Sequence, residues 1–286
     1  MKVGLIGTGL MGKPIARKIK DAGYELMVYN RTIQKAKDLE EDEIKVALST
    51  KELVDFADVI LVVLADYNAV TSMLFGDDVK YDGKTVVQMS TITPKESLLL
   101  KERVEKFGGN YFEAPVLGSI PQILDQKLIV LVGGTEKNKV DHEKLFSSFS
   151  SKIVFIGEVG KAAAIKLALN QLIASETSAF AMSLGYLREM DVDIDKFMDI
   201  LKGSALYAPT FEKKLGNYMQ RDFSNPNFPL KHLLKDVRLM IDQFGQSGIN
   251  TKGLEAIAEI IKTGLDQKLS EKDYSSLYNV IHPAKK

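Results

Sequence analysis

Short apolar runs alternate with helical stretches through the first 156 residues of the chain. The runs are rich in β-branched and aromatic residues and predict seven strands, over residues 3–6, 26–29, 59–64, 85–88, 111–114, 128–132 and 153–156. The stretches between them, such as 94–107, carry the apolar spacing of helices. Several runs are apolar throughout, as expected of strands that are covered on both faces. The alternation therefore predicts an α/β fold with a doubly wound, mostly parallel sheet and helices on both of its faces.

The strand pattern ends near Gly160, and the rest of the chain is predicted to be helical. Residues 162–190 contain no proline and only Gly185 as an interior weak point, so they predict one helix of roughly 29 residues, ~43 Å long. Its apolar residues cover much of its circumference, which favours a position among other helices. Further helices are predicted over residues 194–202, 210–218, 230–244, 252–268 and 274–281.

A chain of 286 residues is long enough for two domains. We expect an N-terminal α/β domain over residues 1–160 and an all-α C-terminal domain over residues 161–286, which the chain enters through the long interdomain helix. The long apolar helix and the helical second domain also favour self-association.

Charge and cysteine content narrow the classes of function. The 38 basic and 38 acidic side chains give a formal net charge of zero, which argues against a nucleic-acid or membrane-surface partner. The absence of cysteine excludes disulfides, a thiolate nucleophile and cysteine-ligated metal sites. The three histidines lack the spacing of a zinc site, so no metal is expected. Without a signal-like start or an apolar stretch of ~20 residues, a cytoplasmic protein is expected.

A glycine-rich turn follows the first predicted strand and precedes a helix. It reads Gly7-Thr8-Gly9-Leu10-Met11-Gly12. In a dinucleotide site of the Rossmann type, the first glycine allows the tight turn, the second lets the backbone approach a pyrophosphate, and the third permits close packing of helix on strand. The alternative is an ordinary turn that binds nothing. The strand before it and the helix after it favour a Rossmann-type domain that binds a nicotinamide dinucleotide.

The second predicted strand is followed by Asn30-Arg31-Thr32. Sites for NAD normally carry an acidic residue here, which accepts a hydrogen bond from the ribose 2′-hydroxyl. An arginine can instead pair with a 2′-phosphate, and Thr32 can donate a hydrogen bond to it. The sequence therefore favours NADP over NAD. The alternative is that Arg31 stacks on adenine, which is compatible with either cofactor.

Lys166 and Asn170 are four residues apart and share one face of the long predicted helix. A lysine among alanines and leucines is often a surface residue whose stem packs along its apolar neighbours. An ammonium group partly withdrawn from water instead releases its proton closer to neutral pH, which suits a proton donor. Asn170 would then hold a substrate oxygen or orient the ammonium group.

These motifs resemble those of the β-hydroxyacid dehydrogenases, which include 3-hydroxyisobutyrate dehydrogenase and the glyoxylate/succinic semialdehyde reductases. The resemblance extends over essentially the whole chain. It is carried by Met11-Gly12 and by residues 89–94, 113–119, 160–170 and 228–239, the last of which is most similar to the glyoxylate/succinic semialdehyde reductase branch.

Three positions depart from the family pattern, and one of them is Gln126, which stands where a glycine is frequent just before the next predicted strand. Thr8 stands where the family usually has leucine, and Leu117 replaces a serine that helps to seat the substrate carboxylate. Leu117 in place of this serine suggests a less polar or reshaped pocket.

The resemblance implies roles for residues in both halves of the chain. Lys166 is the catalytic lysine, and Asn170 and Ser119 position the substrate. The residues implied to bind the cofactor are Gly7, Gly9, Leu10, Met11, Gly12, Asn30, Arg31, Thr32, Leu64, Ala65, Thr91 and Lys235. Those implied to bind the substrate are Ser90, Gly118, Ser119, Phe228 and Asp236. For Lys235 and Asp236 the alternative is a solvent-facing pair on an amphipathic helix.

Together these observations predict the NADPH-dependent reduction of a small aldehyde or semialdehyde that bears a carboxylate, with Lys166 as proton donor. An NAD(P)-dependent 3-hydroxyisobutyrate dehydrogenase is the alternative, and Lys166 argues against an imine reductase of related architecture. The set of Lys166, Asn170 and Lys235 argues against a non-catalytic nucleotide-binding module. The resemblance also implies a homodimer or a homotetramer. Besides further copies of the chain, the expected partner is a small-molecule substrate.

Overall fold

The structure of the protein is a computed structural model that describes residues 1–76 and 79–284. Its chain forms two compact units, Met1–Lys166 and a second unit that begins at Leu167. The first unit contains a sheet with helices, and the second is all-helical over its described residues. The predicted order of an α/β fold followed by a helical region that starts with one long helix is confirmed.

The first unit is built on one nine-stranded sheet in the part of the chain that the structure describes. Its strands are β1 (Lys2–Ile6), β2 (Glu25–Tyr29), β3 (Lys45–Val46), β4 (Val59–Val62), β5 (Thr85–Gln88), β6 (Asn110–Glu113), β7 (Val116–Leu117), β8 (Leu128–Gly133) and β9 (Ser150–Gly157). They follow the order β3-β2-β1-β4-β5-β6-β8-β7, and β9 pairs with β8. Strands β1 to β6 pair in parallel, whereas β8 runs antiparallel to β6 and β7. The sheet is therefore mixed and mostly parallel.

The carboxyl ends of five parallel strands form one row across the sheet. In the strand register, Tyr29 lies beside Ile6, Ile6 beside Val62, Val62 beside Gln88, and Gln88 beside Glu113. The chain therefore leaves β2, β1, β4, β5 and β6 at the same edge. Because the strand order reverses between β1 and β4, this edge contains the crevice in which open α/β sheets bind ligands.

Helices of the first unit cover the sheet. They are α1 (Gly12–Asp21), α2 (Thr50–Phe56), α3 (Tyr67–Leu74), α4 (Pro94–Lys106), α5 (Ile120–Leu124) and α6 (Glu136–Phe146). Alternate residues of β1 enter different cores: Val3 and Leu5 pack in one buried cluster with Ile15 of α1, whereas Ile6 packs in another with Leu53 of α2. This alternation follows from the period of two in a strand and places helices on both faces of the sheet.

The long helix α7 (Lys161–Glu189) begins in the first unit and continues into the second. The remaining helices are α8 (Ile194–Lys202), α9 (Pro209–Gln220), α10 (Leu230–Gln246), α11 (Lys252–Asp266) and α12 (Tyr278–Ile281), and a 3₁₀ turn (Tyr274–Leu277) precedes α12. They enclose a separate apolar core that contains Phe180, Leu233 and Leu277. Within residues 1–76 and 79–284, no helix combines the length and the hydropathy needed to cross a membrane.

Local hydrogen bonds explain where several helices begin. Thr93 and Glu96 form a capping box at the start of α4, in which each side chain accepts a hydrogen bond from the backbone N–H of the other residue. Asp193 accepts hydrogen bonds from the backbone N–H groups of Asp195 and Lys196 at the start of α8. Such caps satisfy N–H groups that have no partner within the helix.

Two short strands, β3 and β7, were not predicted from the sequence. Each has only two residues, which is too short for a hydrophobic period, and each exists through pairing with a neighbouring strand. The predicted strand 59–64 in turn ends at Val62, because the next residues leave the sheet and pass beside the glycine turn.

Candidate active-site residues

The glycine turn between β1 and α1 has the geometry that a dinucleotide requires. Gly7 adopts a φ of +104°, and a Cβ at this position would overlap the Val63 carbonyl oxygen. A Cβ on Gly12 would overlap the Gly7 carbonyl oxygen, so a side chain is excluded where α1 begins. A Cβ on Gly9 would meet nothing within 4 Å. The turn therefore has no room for a side chain at Gly7 or Gly12 and has open space at Gly9, as expected of a backbone that approaches a pyrophosphate.

Leu10 and Met11 complete the turn. The side chain of Leu10 is exposed, whereas Met11 is the N-cap residue of α1 and packs against the buried cluster on that face of the sheet. Their backbone therefore lies at the N-terminus of α1, where the helix dipole favours a negatively charged group.

The segment after β2 is bonded to the glycine turn. Asn30 Oδ1 accepts a hydrogen bond from the backbone N–H of Thr8 at 3.2 Å, and Asn30 Nδ2 donates to the carbonyl of Thr32 at 2.9 Å. The buried Thr8 hydroxyl donates to the carbonyl of Lys35 at 3.1 Å. Thr8, which departs from the family pattern, thus braces the segment that carries the exposed side chain of Arg31.

The loops after β4 and β5 lie at the same edge of the sheet. The hydroxyl of the buried Ser90 accepts a hydrogen bond from the backbone N–H of Leu64 at 2.8 Å, and the Gln88 side chain bonds both backbone groups of Ser90. Ala65 and Thr91 follow directly. The structure therefore brings Leu64 against Gly7 of the glycine turn, and the Ser90 hydroxyl holds the loop that contains Leu64.

Gly118 and Ser119 follow the short strand β7, of which Leu117 is the last residue. Gly118 has a φ of +126°, and a Cβ there would approach Leu128 too closely. Ser119 is the N-cap residue of α5, and both its backbone N–H and its hydroxyl donate to Gln122 Oε1 at 2.9 Å. The hydroxyl that the resemblance assigns to the substrate thus also takes part in a helix cap.

A buried carboxylate holds the start of α7. Glu113, the last residue of β6, is only 1% exposed, and its Oε1 accepts hydrogen bonds from the backbone N–H groups of Gly160, Ala162 and Ala163 at 2.8, 2.9 and 3.0 Å. Burial raises the pKa of the Glu113 carboxyl, and these hydrogen bonds act in the opposite direction. Glu113 is not among the predicted site residues, although a carboxylate that ends an otherwise apolar strand signals a buried polar partner.

Lys166 lies on α7, at the end of the first unit and one helical turn before Asn170. Its side chain is half-buried. The predicted lysine–asparagine pair therefore occupies consecutive turns of one helix whose first turn is bonded to Glu113.

In the second unit, three predicted residues lie together. Asn170 and Asp236 are 3% and 1% exposed, and Asn170 Nδ2 donates to Asp236 Oδ2 at 2.7 Å. Lys235 Nζ lies 2.6 Å from Asp236 Oδ1. Asp236 therefore links α7 to α10 and also pairs with Lys235. Its burial contradicts the alternative of a solvent-facing pair.

Phe228 lies just before α10 and forms part of an aromatic group. Its ring centroid is 6.4 Å from that of His232, in a stacked arrangement, and 5.9 Å from that of Tyr274. Burial, with a further contribution from Lys231 and Lys235, lowers the pKa of His232, which favours a neutral imidazole beside the ring.

Comparison with known proteins places this geometry in a family. Residues 2–157 match a model described as the NAD binding domain of 6-phosphogluconate dehydrogenase. Residues 160–281 match one described as the NAD-binding region of NADP-dependent 3-hydroxyisobutyrate dehydrogenase.

Individual proteins match over nearly the whole chain. Glyoxylate/succinic semialdehyde reductase 1 of Arabidopsis thaliana is 29% identical, over 98% of each chain. An uncharacterized oxidoreductase of Bacillus subtilis, YfjR, is 30% identical over 98% of this chain and 100% of its own. The crystal structure of 3-hydroxyisobutyrate dehydrogenase from Salmonella typhimurium shares the fold, with a TM-score of 0.87 at 19% identity over 98% of this chain and 99% of its own.

A glycine turn at the carboxyl edge of a doubly wound sheet, followed by an all-helical unit, agrees with both matches. The chain thus belongs to the 3-hydroxyisobutyrate dehydrogenase-like family and is an NAD(P)-dependent oxidoreductase of the β-hydroxyacid dehydrogenase type.

Proposed function

We propose that the protein uses NADPH to reduce a small aldehyde or semialdehyde that bears a carboxylate, of the glyoxylate or succinic semialdehyde type. The observation that carries the proposal is the placement of Lys166 and Asn170 on consecutive turns of α7, a helix whose first turn is bonded to the end of β6. The similarity to a glyoxylate/succinic semialdehyde reductase supports the substrate class.

The residues at the edge of the sheet fit a nicotinamide dinucleotide, because the backbone is open at Gly9 and closed at Gly7 and Gly12. When bound, the cofactor supplies the hydride that reduces the carbonyl carbon. We assign dinucleotide binding to residues 1–160, and substrate binding and self-association to residues 161–286.

Lys166 acts as the proton donor in this proposal. The carbonyl oxygen gains negative charge as its carbon is reduced, and the Lys166 ammonium group donates its proton to that oxygen, which gives the hydroxyl of the product. Asn170 is suited to position the substrate. Its Nδ2 is engaged with Asp236, whereas its buried Oδ1 accepts no hydrogen bond within the described residues and can accept one from the hydroxyl group that forms on the product.

Arg31 supports the preference for NADPH. Its side chain is exposed on a segment that Asn30 holds beside the glycine turn, and no acidic residue occupies positions 30–32. A guanidinium group at this place attracts a 2′-phosphate, which NADPH has and NADH lacks.

The first experiment replaces Lys166 with alanine. Loss of an acid–base group is expected to lower kcat by about 10²–10⁴-fold, while NADPH still binds. Lys161→Ala, at the exposed first residue of the same helix, is the matched control and should retain wild-type kcat. A Lys166→Ala enzyme within a few-fold of wild-type kcat would contradict the assignment.

A steady-state screen tests the substrate class. Glyoxylate, succinic semialdehyde, methylmalonate semialdehyde and tartronate semialdehyde are each assayed with NADPH and with NADH. The proposal expects the highest kcat/KM for glyoxylate or succinic semialdehyde with NADPH. A preference for methylmalonate semialdehyde would instead support a 3-hydroxyisobutyrate dehydrogenase, and cofactor binding without turnover would support a non-catalytic module.

We further propose that the protein self-associates through α7 as a homodimer, or as a homotetramer that contains this dimer. A mostly exposed stripe follows α7 at alternating spacings of four and three residues: Ala168, Leu172, the half-buried Ser175, Ala179, Met182 and Tyr186. Leu172, Met182 and Tyr186 are 51%, 52% and 64% exposed. This spacing is typical of a helix that packs along another helix.

The stripe is self-complementary when two copies of α7 run antiparallel. Ala168 then faces Tyr186 of the second copy, Leu172 faces Met182, and Ser175 faces Ala179. A small side chain meets the largest one, and two long apolar side chains meet in between. Such a match of one surface with itself is what a two-fold dimer interface requires.

A further inference from the structure

Glu113 connects the sheet to the helix that carries Lys166. Its Oε1 accepts three backbone hydrogen bonds, one from Gly160 just before α7 and two from the first turn of α7, as described above. Its Oε2 accepts a hydrogen bond from the Ser97 hydroxyl, whose oxygen also lies 2.9 Å from the Tyr111 hydroxyl. Both carboxylate oxygens are thus held, which fixes the orientation of the Glu113 side chain.

The surroundings of Glu113 are shaped to admit this carboxylate. A Cβ on Gly133, the residue paired with Glu113 in the sheet, would overlap Glu113 Oε1. Gly160 adopts a φ of +97°, a conformation that other residues rarely adopt, and this turns its N–H toward the carboxylate. Room for the carboxylate is therefore provided by Gly133 of β8, and Gly160 just before α7 provides a hydrogen bond to it.

A negative charge suits this place. The first N–H groups of a helix lack partners within the helix and carry the positive end of its dipole. Helix caps usually come from a neighbouring residue, as at Ser49 before α2. Glu113 is instead 47 to 50 residues away from the N–H groups that it binds. The cap therefore fixes the first turn of α7 relative to the carboxyl edge of the sheet, which a local cap cannot do.

Lys166 lies close to the part of α7 that Glu113 holds. It follows Ala163, the last residue bonded to Glu113, by three residues, which is ~4.5 Å along the helix axis. Both residues lie in the first unit, where the glycine turn also lies. A shift or a rotation of the first turn of α7 would move the ammonium group with it.

We propose that Glu113 is a positioning residue that sets the place of the proton donor Lys166 by holding the first turn of α7. The proposal rests on the proposed role of Lys166. Loss of the three hydrogen bonds lets the first turn of α7 shift, and a misplacement of about 1 Å reduces the rate about 10²-fold even when the change is outside the reacting groups. A purely structural cap would lower stability and leave the kcat of the folded enzyme unchanged.

The test is a double-mutant cycle between Glu113→Ala and Lys166→Ala, measured as kcat of the folded full-length enzyme with saturating NADPH and the preferred aldehyde. Glu113→Ala alone is expected to lower kcat about 10–100-fold and to leave the Kd of NADPH, read from its fluorescence, nearly unchanged. In the Lys166→Ala background the same change is expected to lower kcat no further, because residues that act as a unit are not additive.

Conservative variants separate geometry from folding. Glu113→Gln keeps an oxygen in place for the three N–H groups and is expected to recover most of the lost kcat. If Glu113→Ala does not fold, Glu113→Asp replaces it in the cycle, because its carboxylate is one methylene shorter and no longer reaches all three groups. Glu52→Ala is the matched control, since Glu52 accepts a backbone hydrogen bond from Leu48 ahead of α2 at 2.8 Å, and it should retain wild-type kcat.

The possible failures are distinguishable. A full additional loss of kcat from Glu113→Ala in the Lys166→Ala background would overturn the positioning role and leave the proposed function intact. A Gln variant as slow as the Ala variant would overturn it as well. Wild-type kcat in Lys166→Ala would overturn the proton-donor assignment, and the positioning role would fall with it.

Discussion

Arg31 is the residue on which the proposed preference for NADPH depends. Replacing it with aspartate removes a cation and introduces an anion that repels a 2′-phosphate but can accept a hydrogen bond from a 2′-hydroxyl. A charged hydrogen bond contributes about 1.5–3 kcal/mol, so kcat/KM for NADPH is expected to fall about 10–100-fold while that for NADH stays equal or rises. Steady-state kinetics with both cofactors measure the ratio.

The same charge change at Lys37 is the control for Arg31→Asp. Lys37 is exposed and lies six positions further along the chain, so Lys37→Asp should leave the cofactor ratio unchanged. An Arg31→Asp enzyme that still prefers NADPH to the wild-type degree would show that the guanidinium does not contact the 2′-phosphate.

His142 is expected to make the free energy of unfolding depend on pH. Its ring lies against that of Phe112, with centroids 4.9 Å apart, and burial lowers its pKa from 6.5 although Nδ1 lies 2.8 Å from the Asn138 carbonyl oxygen. The unfolded chain therefore binds a proton more readily than the folded one. The contribution of the neutral ring is fully present above about pH 6.5 and is lost as the pH falls through the lower, folded-state pKa.

Replacement of His142 with phenylalanine should remove this pH dependence. The free energy of unfolding in urea is compared for both proteins at pH 7.5 and at pH 5. We expect the wild type to lose more stability than His142→Phe between the two pH values. An equal loss in both proteins would show that the pKa of His142 is the same in the folded and unfolded states.

The sequence predicted which residues have room for a cofactor better than it predicted what individual side chains bond to. Gly7, Gly9 and Gly12 follow from a contiguous motif, and the structure gives each the expected room or lack of room for a side chain. The role of Ser119 was assigned from its motif position, and Thr8 was noted only as a departure from the family pattern. The structure shows that the Thr8 hydroxyl donates to the Lys35 carbonyl and that the Ser119 hydroxyl donates to Gln122. The Thr8 acceptor is 27 residues away, so spacing along the chain does not reveal it, whereas the Ser119 acceptor is three residues on and fits the spacing of a capping box.

At the scale of elements, Asp236 joins two helices of the second unit. It is the acceptor for Asn170 of α7 and the ion-pair partner of Lys235 on α10. Asp236→Ala leaves buried Asn170 Nδ2 without this acceptor, and an unsatisfied buried polar group costs about 1–3 kcal/mol. The free energy of unfolding is expected to fall by about that amount in thermal or urea denaturation.

Asp242→Ala is the control for Asp236→Ala, because Asp242 is an exposed acid on the same helix. It should change the free energy of unfolding by less than about 0.5 kcal/mol, as is usual for surface positions. If the two variants were equally stable, the bond between α7 and α10 would contribute nothing measurable.

Elements with a strong period were predicted close to their observed bounds, as α8 shows: the prediction of 194–202 coincides with Ile194–Lys202. Burial of one face imposes a period of 3.6 on such a helix, and that period is visible along the chain. The two-residue strand β7 has no such period, and it forms only because Val116 and Leu117 reach β8.

At the scale of the whole molecule, the proposed antiparallel α7 interface predicts the oligomeric state. Replacing Leu172 and Tyr186 together with glutamate places charges opposite apolar side chains of the second copy, which disfavours association. The molar mass from light scattering after size exclusion is expected to fall from that of a dimer or tetramer toward that of its subunit.

Ile200→Glu serves as the comparison for this double variant. Ile200 is 74% exposed on α8 and lies outside the stripe, so its replacement should leave the molar mass unchanged. A wild-type monomer, or a double variant with the wild-type mass, would contradict the interface.

The sequence by itself determined the class of fold, the order of most elements and the glycine turn, because each is encoded by neighbours within a few positions: a strand or helix period, or a motif of six residues. It also determined that Lys166 and Asn170 share one helix face.

The tertiary structure alone decided which distant residues meet. The row of strand ends, the Glu113 carboxylate on the first turn of α7, and the pair of Asn170 and Asp236, 66 residues apart, all arise from chain reversal and packing. Hydrogen bonds of this kind depend on position in space, and no periodicity along the chain records them.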